Sequence, residues 1–218
     1  MLMSPMEILQ AFPKRKTKAE IQAFRDAVQS YATALGYKTR LEQQWLIIGD
    51  TESANYLLVS GNGTFGILAL LEILRLLPEN RRSRVCFVLF KNVLLAGYSY
   101  CKAHPAASEQ LVIHLEAAGE GDKLRIFPTK KLNDHRGKLT SLYKACGYFG
   151  KKSLLVQEKD LLPWYVPFPY AVSICTVPSG KKETYRNRIR SCETTREETN
   201  INILRAALTS FLCCDAAQ

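Results

Sequence analysis

Apolar residues in the central part of the chain form runs of two different lengths. Residues 56–59 and 85–90 are short runs of aliphatic, β-branched and aromatic side chains, and a Ser-Gly-Asn-Gly turn at residues 60–63 closes the first of them. Between them, residues 67–77 are apolar at almost every position until Pro78. Short apolar runs bounded by glycine predict buried strands, and a run of about three turns predicts a helix. The stretch therefore predicts a strand-helix-strand unit, whose ligands normally bind beyond the carboxyl ends of the strands.

The segments on either side of this unit continue the alternation of helices and strands. Thr17, with Glu20 three residues later, predicts an N-cap and a capping box, and apolar residues follow at helical spacing until Gly36. Further strands are predicted at residues 38–44, 110–118, 124–127, 153–156 and 171–177, and further helices at residues 98–103, 139–146 and 195–212. This pattern predicts an α/β fold in a single domain that spans residues 1–218.

Composition and charge narrow the function classes only slightly. The net charge is +10, but the basic residues form short scattered groups that fall mostly beside predicted loops. A nucleic-acid footprint gathers basic residues on one face, so a solvated surface is the favoured interpretation and nucleic-acid binding is a further alternative. The chain has seven cysteines without a Cys-x-x-Cys pair, no signal-peptide pattern and no apolar stretch of about 20 residues. These features predict a cytoplasmic protein without a membrane span, with reduced thiols, and with Cys86, Cys146 and Cys175 in its core.

Six segments stand out for their residues and for their order along the chain: FPKRKTK at 12–18, IGDTESA at 48–54, LLEILRLL at 70–77, RVCFVLF at 84–90, LEAAGEGD at 115–122 and RIRS at 188–191. Together these segments resemble the family of di-zinc aminopeptidases with a phosphorylase/hydrolase-like α/β fold. Their order and spacing carry the resemblance across the whole chain. It implies a three-layer zinc exopeptidase fold, in which helices flank a central mixed, mostly parallel sheet.

The resemblance also implies where a di-zinc centre and its general base belong. Two zinc ions polarise the scissile carbonyl and ionise a bridging water, and a glutamate takes the proton. In this sequence Asn62, or Gly61 after a one-residue shift, occupies the position of the bridging aspartate. Val93 and Leu94 occupy the positions of the paired glutamates. Glu116 occupies the position of the next aspartate ligand, and Arg190 that of the last histidine ligand. Of these side chains only the Glu116 carboxylate is a good metal ligand, because valine and leucine neither coordinate zinc nor accept a proton and arginine repels a cation.

The sequence therefore predicts a pseudo-peptidase that keeps the fold, has no catalytic residue and binds no zinc. Its expected partner is a protein or a small anionic or peptide ligand. Arg190 and Lys91 could receive an anion beside the backbone amides of residues 61–63, or Arg190 could simply pair with Glu116. An aminopeptidase or other hydrolase with an altered or metal-independent site is the alternative function.

The remaining candidates for chemistry are weaker. His104 precedes Pro105 at a predicted helix end and is expected to be exposed, and His135 falls in a polar loop. His114 lies within a predicted strand, where a structural role is favoured over a catalytic one. Cys192 lies close to Arg190, but a cysteine nucleophile also requires a positioned histidine. No Gly-x-Ser-x-Gly elbow supports a serine hydrolase.

Overall fold

The structure is a computed structural model, and it describes most of the chain up to residue 115 and separate segments after it. The described residues are 2–42, 44–61, 64–90, 93–115, 123–134, 140–142, 144–145, 151–155, 168–177 and 194–214. The strands are β1 Thr39–Leu41, β2 Trp45–Ile48, β3 Tyr56–Ser60, β4 Val85–Phe90, β5 Leu111–Leu115, β6 Lys123–Pro128, β7 Lys151–Leu155 and β8 Ala171–Val177. The helices are α1 Pro5–Ala11, α2 Lys18–Ala34, α3 Thr64–Leu76, α4 Glu79–Arg82, α5 Val93–Ala103, α6 Lys130–Asp134 and α7 Thr194–Cys214, with a 3-10 turn at Pro105–Ser108.

The strands form one mixed sheet in the order β1-β2-β4-β3-β5-β8-β6-β7. Strands β4, β3, β5 and β8 run parallel to one another at its centre, whereas β2 and β6 pair antiparallel with their central neighbours. Central parallel strands are covered on both faces, so their sequences are apolar at nearly every position rather than alternating. That is why the short apolar runs at β3 and β4 predicted strands correctly.

Helices cover both faces of the sheet, which makes three layers. Alternate strand residues such as Leu58, Phe87 and Ile113 join a core with apolar side chains of α1, α2, α3 and α7. Their neighbours Leu57, Val88 and Val112 face a second core with Ala96 and Tyr100 of α5 and with Phe168. The predicted class, a three-layer α/β fold with a mixed, mostly parallel sheet, is therefore confirmed.

Element by element, the sequence patterns located most of the described elements. Strands β4 and β8 have the predicted bounds. Helix α2 ends as predicted before Gly36, whose φ of 87° lies in the left-handed region that residues with a side chain rarely adopt. Helix α5 begins five residues earlier than predicted, at Val93 rather than residue 98. The patterns missed strand β2 and the short helices α1, α4 and α6. Cys86 is buried as predicted, while the side chains of Cys146 and Cys175 lie outside the described part.

The capping box at the start of α2 is confirmed and supports a stability prediction. The Thr17 hydroxyl accepts a hydrogen bond from the Glu20 amide at 3.2 Å, and the Glu20 carboxylate accepts one from the Thr17 amide at 2.9 Å. Replacing Thr17 with Ala leaves the Glu20 amide without its cap, so we expect a loss of about 1 kcal/mol in the free energy of unfolding, measured by urea denaturation. Ser30→Ala, within the same helix, is the control and should change stability little. Equal midpoints for Thr17→Ala and the parent protein would contradict the prediction.

Among the described residues, no helix is both long enough and apolar enough to cross a bilayer.

Candidate functional site

The carboxyl ends of the central strands meet at one edge of the sheet, where the sequence placed the candidate site. Ser60 at the end of β3 pairs with Leu89 near the end of β4, and Val59 pairs with His114 near the end of β5. Ser60 is buried, and its hydroxyl lies 3.3 Å from the carbonyl oxygen of Gly61. Gly61 itself is half-buried just beyond β3. This edge is where ligands of open α/β sheets normally bind.

Gly66 in the first turn of α3 brings this helix against the strand ends. A Cβ atom at this position would collide with the carbonyl oxygen of Leu115 and would lie 2.6 Å from the hydroxyl oxygen of Ser60. Only a glycine allows the helix backbone to approach both β3 and β5 so closely. The sequence pattern predicts only a turn at residues 60–63 and does not reveal this role of Gly66, because nothing in a local pattern shows which strand lies next to the helix.

The sequence resemblance assigns the general base and a metal ligand to the positions of Val93 and Leu94. They are the first two residues of α5, and two residues separate the start of this helix from the end of β4 at Phe90. The structure thus places both positions at the carboxyl edge. Asn62, Lys91, Glu116 and Arg190 lie outside the described residues, so their roles in a vacated metal site or an anion site, including the Arg190–Glu116 ion pair, remain predictions.

The described residues of this edge do not fit a zinc centre. Ser60 offers a buried hydroxyl, Gly61 has no side chain, and valine and leucine occupy the first two positions of α5. Zinc in proteins is held by thiolates, imidazoles and carboxylates. Within the described ranges there is also no group of three or more His, Cys, Asp or Glu side chains that could hold a metal ion.

The two helices that begin at this edge, α3 and α5, have no negative side chain in their first turns. The amino-terminal end of a helix carries about half a positive charge, which acidic residues usually offset. Here the helix ends favour a negatively charged group more than a cation.

His114 is buried within strand β5, as the sequence predicted. It is 4% exposed, and its Nδ1 lies 3.2 Å from the hydroxyl oxygen of Ser173 on the adjacent strand β8. Burial lowers the pKa of His114 from 6.5 to about 3, so the ring is neutral at neutral pH. Its side chain points to the face opposite α3, because it alternates with Ile113 and Leu115 of the first core.

The prediction that His104 is exposed was wrong. Its side chain is only 7% exposed, its ring lies 4.5 Å from that of Tyr100 and 6.2 Å from that of Trp45, and its Nε2 is 3.7 Å from a carboxylate oxygen of Glu42. Pro105 does end the helix, but Trp45 of β2 packs edge to face against the histidine ring. A local pattern contains no information about this partner, which lies 59 positions away.

A cavity of about 490 Å³ lies at the opposite edge of the sheet, at the amino ends of the strands. Its walls include Tyr56 at the start of β3, Leu111 at the start of β5 and Arg84 directly before β4. Five strand residues span about 16 Å, so the cavity is well separated from the carboxyl edge. The cavity is therefore distinct from the candidate site, whose position is defined by the carboxyl ends of the strands.

Comparison with solved structures shows the fold but not the family. The LapA aminopeptidase of Legionella pneumophila has a TM-score of 0.68 and 12% identity to this chain, covering 96% of this chain and 71% of the other. The glutaminyl cyclase of Macrostomum lignano has a TM-score of 0.62 and 12% identity, with coverage of 98% and 90%. That of Fimbriiglobus ruber has a TM-score of 0.59 and 13% identity, with coverage of 96% and 96%.

These identities are too low to transfer an activity, so the likeness establishes a shared fold alone. No family model matches the sequence, and no curated protein matches it significantly by sequence. The fold that the sequence resemblance implied is confirmed, and membership of the aminopeptidase family stays a proposal.

Proposed function

We propose that this protein is a pseudo-peptidase: it has an aminopeptidase-like fold, lacks the catalytic di-zinc centre and acts by binding a ligand or partner. The observation that carries the proposal is the position of Val93 and Leu94 as the first residues of α5, directly beyond β4. A general base at this point must accept a proton and a ligand must donate a lone pair, and neither side chain does so. In this proposal the aminopeptidase-like fold serves as a scaffold for binding.

The same edge supports an anionic ligand, such as a small carboxylate or the carboxyl terminus of a peptide. Helices α3 and α5 direct their amino-terminal ends there without an acidic residue in the first turn. Lys91 and Arg190 supply further positive charge at or near this edge if the sequence resemblance holds. A cation would have to overcome these charges, which is a second argument against a retained metal centre.

Metal content is the direct test of the proposed function. Protein purified without chelators and without a histidine tag is analysed by mass spectrometry of the elements, before and after incubation with excess zinc and desalting. We expect well under one zinc per chain, and no hydrolysis of a panel of aminoacyl nitroanilides above the rate in buffer. Close to two zinc ions per chain together with turnover would contradict the proposal, because that is the stoichiometry of a working two-metal site.

A variant distinguishes the ways in which turnover could arise. Glu116→Gln removes the one remaining carboxylate of the proposed ligand positions. Turnover that is lost in this variant would show that the edge still catalyses hydrolysis, and turnover that persists in the purified variant would show that the ligand positions are assigned wrongly. Either result would overturn the pseudo-peptidase proposal.

A further inference from the structure

Three exposed apolar side chains lie within five positions of one another, in and just before α1. Among the described residues five large apolar side chains are exposed, and Leu2, Met3 and Met6 are three of them. Met6 belongs to the outer face of α1, because the helix buries Ile8 and Leu9 in the first core. We call Leu2, Met3 and Met6 the apolar patch. Exposed apolar side chains that cluster mark interaction sites more often than single ones do.

A basic segment follows α1 in the connection to α2. It has the sequence KRKTK at residues 14–18, and its three lysines are exposed. None of these lysines forms a salt bridge with another described residue. The carboxylate of Glu20 accepts hydrogen bonds from the backbone amides of Lys16 and Thr17, at 3.0 and 2.9 Å. The three ammonium groups are therefore accessible to a partner that carries negative charge.

Arg15 holds the basic segment against the protein beside α1. Its Nη1 donates a hydrogen bond to the carbonyl oxygen of Phe12 at 2.6 Å, and its guanidinium carbon lies 5.1 Å from the ring centroid of Phe24 in α2. The rings of Phe12 and Phe24 pack edge to face, 6.2 Å apart. Between Met6 and Lys14 the chain runs along the rest of α1 and three further residues, so at most about 18 Å separates their backbones. The apolar patch and the basic segment thus belong to one stretch of the surface.

This combination meets the physical requirements for binding to an anionic membrane surface. Apolar side chains enter the boundary between headgroups and acyl chains, and nearby lysines are attracted by the negative surface potential. One signal alone gives weak binding, whereas two together give stable attachment. Residues 2–18 contain four basic side chains and one acidic one, Glu7, whose carboxylate accepts a hydrogen bond from the Ser4 amide at 2.6 Å. The net charge of this stretch is therefore complementary to anionic lipid.

We propose that the apolar patch and the basic segment together bind the surface of a membrane that contains anionic lipids. The apolar patch inserts shallowly at the headgroup level, and the three lysines contact the charged headgroups. Nucleic acid would also attract the lysines through its phosphates, but it would leave the apolar patch in water, so lipid is the better match. The inference does not depend on the proposed function, because these residues belong to α1 and its connection to α2 and not to the candidate site.

Sedimentation of the full-length protein with lipid vesicles tests this proposal. The vesicles consist of phosphatidylcholine alone or of phosphatidylcholine with about one third phosphatidylserine. At about 0.1 M salt we expect the protein to sediment with the anionic vesicles only, and at about 1 M salt we expect this binding to be largely lost. No binding to the anionic vesicles, or equal binding to both compositions, would overturn the proposal. Binding of a DNA duplex without binding of vesicles would identify a nucleic-acid surface and would also overturn it.

Matched variants assign the binding to the two parts of this surface. Replacing the three lysines of the basic segment with glutamine should weaken binding to anionic vesicles at least about tenfold. Met3→Ser with Met6→Ser should weaken it about fivefold, because the serines no longer favour insertion. A control with the same net charge replaces three exposed lysines elsewhere with glutamine and should bind like the parent protein: Lys38, Lys102 and Lys130.

All the replaced side chains are exposed, so each variant should fold, which circular dichroism and a thermal melt verify. Equal weakening in the two lysine variants would show attraction by net charge alone and would contradict the proposal. Undiminished binding by the double serine variant would contradict it as well, because the apolar patch would then have no part in the contact.

Discussion

Gly66→Ala is expected to destabilise the protein by about 2 kcal/mol, although alanine normally stabilises a helix relative to glycine. The added methyl group collides with the carbonyl oxygen of Leu115 and lies 2.6 Å from the hydroxyl oxygen of Ser60. Overpacking of this kind costs up to about 3 kcal/mol, and here the obstacle is strand backbone that moves only with the sheet. The higher helix propensity of alanine offsets about 1 kcal/mol of this cost, so the expected net loss of stability is about 2 kcal/mol.

Urea denaturation of the parent and variant proteins measures this loss, and a double variant identifies its cause. Ser60→Gly combined with Gly66→Ala removes the hydroxyl but leaves the Leu115 carbonyl in place. We expect the double variant to remain less stable than Ser60→Gly alone, since the backbone contact is the closer one. A Gly66→Ala protein as stable as the parent would show that α3 does not begin against β5 as described.

Acidification is expected to destabilise the protein through His114 by about 2 kcal/mol between pH 7 and pH 5. Burial lowers the pKa of His114 from 6.5 to about 3, so between these values the unfolded chain binds a proton that the folded protein excludes. The contribution of the neutral histidine to stability is therefore fully present above pH 6.5. It is lost as the pH falls, at about 1.4 kcal/mol per pH unit well below 6.5, and the loss stops near pH 3.

The measurement is the free energy of unfolding at several pH values for the parent protein and for His114→Gln. Glutamine does not titrate and can still hydrogen-bond the hydroxyl of Ser173, 3.2 Å from Nδ1 in the parent. Other titrating groups are common to both proteins and cancel in the difference. We expect the stability difference between parent and variant to change by about 2 kcal/mol over this range, in favour of the variant at low pH. A difference that does not vary with pH would show that folding does not lower the pKa of His114.

The vacated-site hypothesis depended on residue identities that the sequence supplies directly. Valine and leucine at positions 93 and 94 are incapable of acid-base or metal chemistry wherever the fold places them. What the structure added is that both positions open α5 at the carboxyl edge, next to the end of β4. The sequence pattern predicts a later start for this helix, at residue 98, because the apolar residues after residue 92 lack the helical periodicity that marks an amphipathic helix.

The sequence by itself determined the central elements, because their signals are local. Buried parallel strands are apolar throughout, so β4 and β8 could be delimited from composition, and the cap at Thr17 and the stop at Gly36 depend only on nearby backbone groups. The three-layer class followed from these elements together with the family resemblance.

Tertiary structure decided everything that depends on residues distant in the chain. The burial of His104 beside Trp45, the pairing of His114 with Ser173 and the contact of Gly66 with Leu115 each join residues at least 49 positions apart. The cavity at the amino ends of the strands joins loops there to the last helix. Side-chain periodicity and capping encode a segment's own conformation, whereas a contact between segments requires both to be folded and packed.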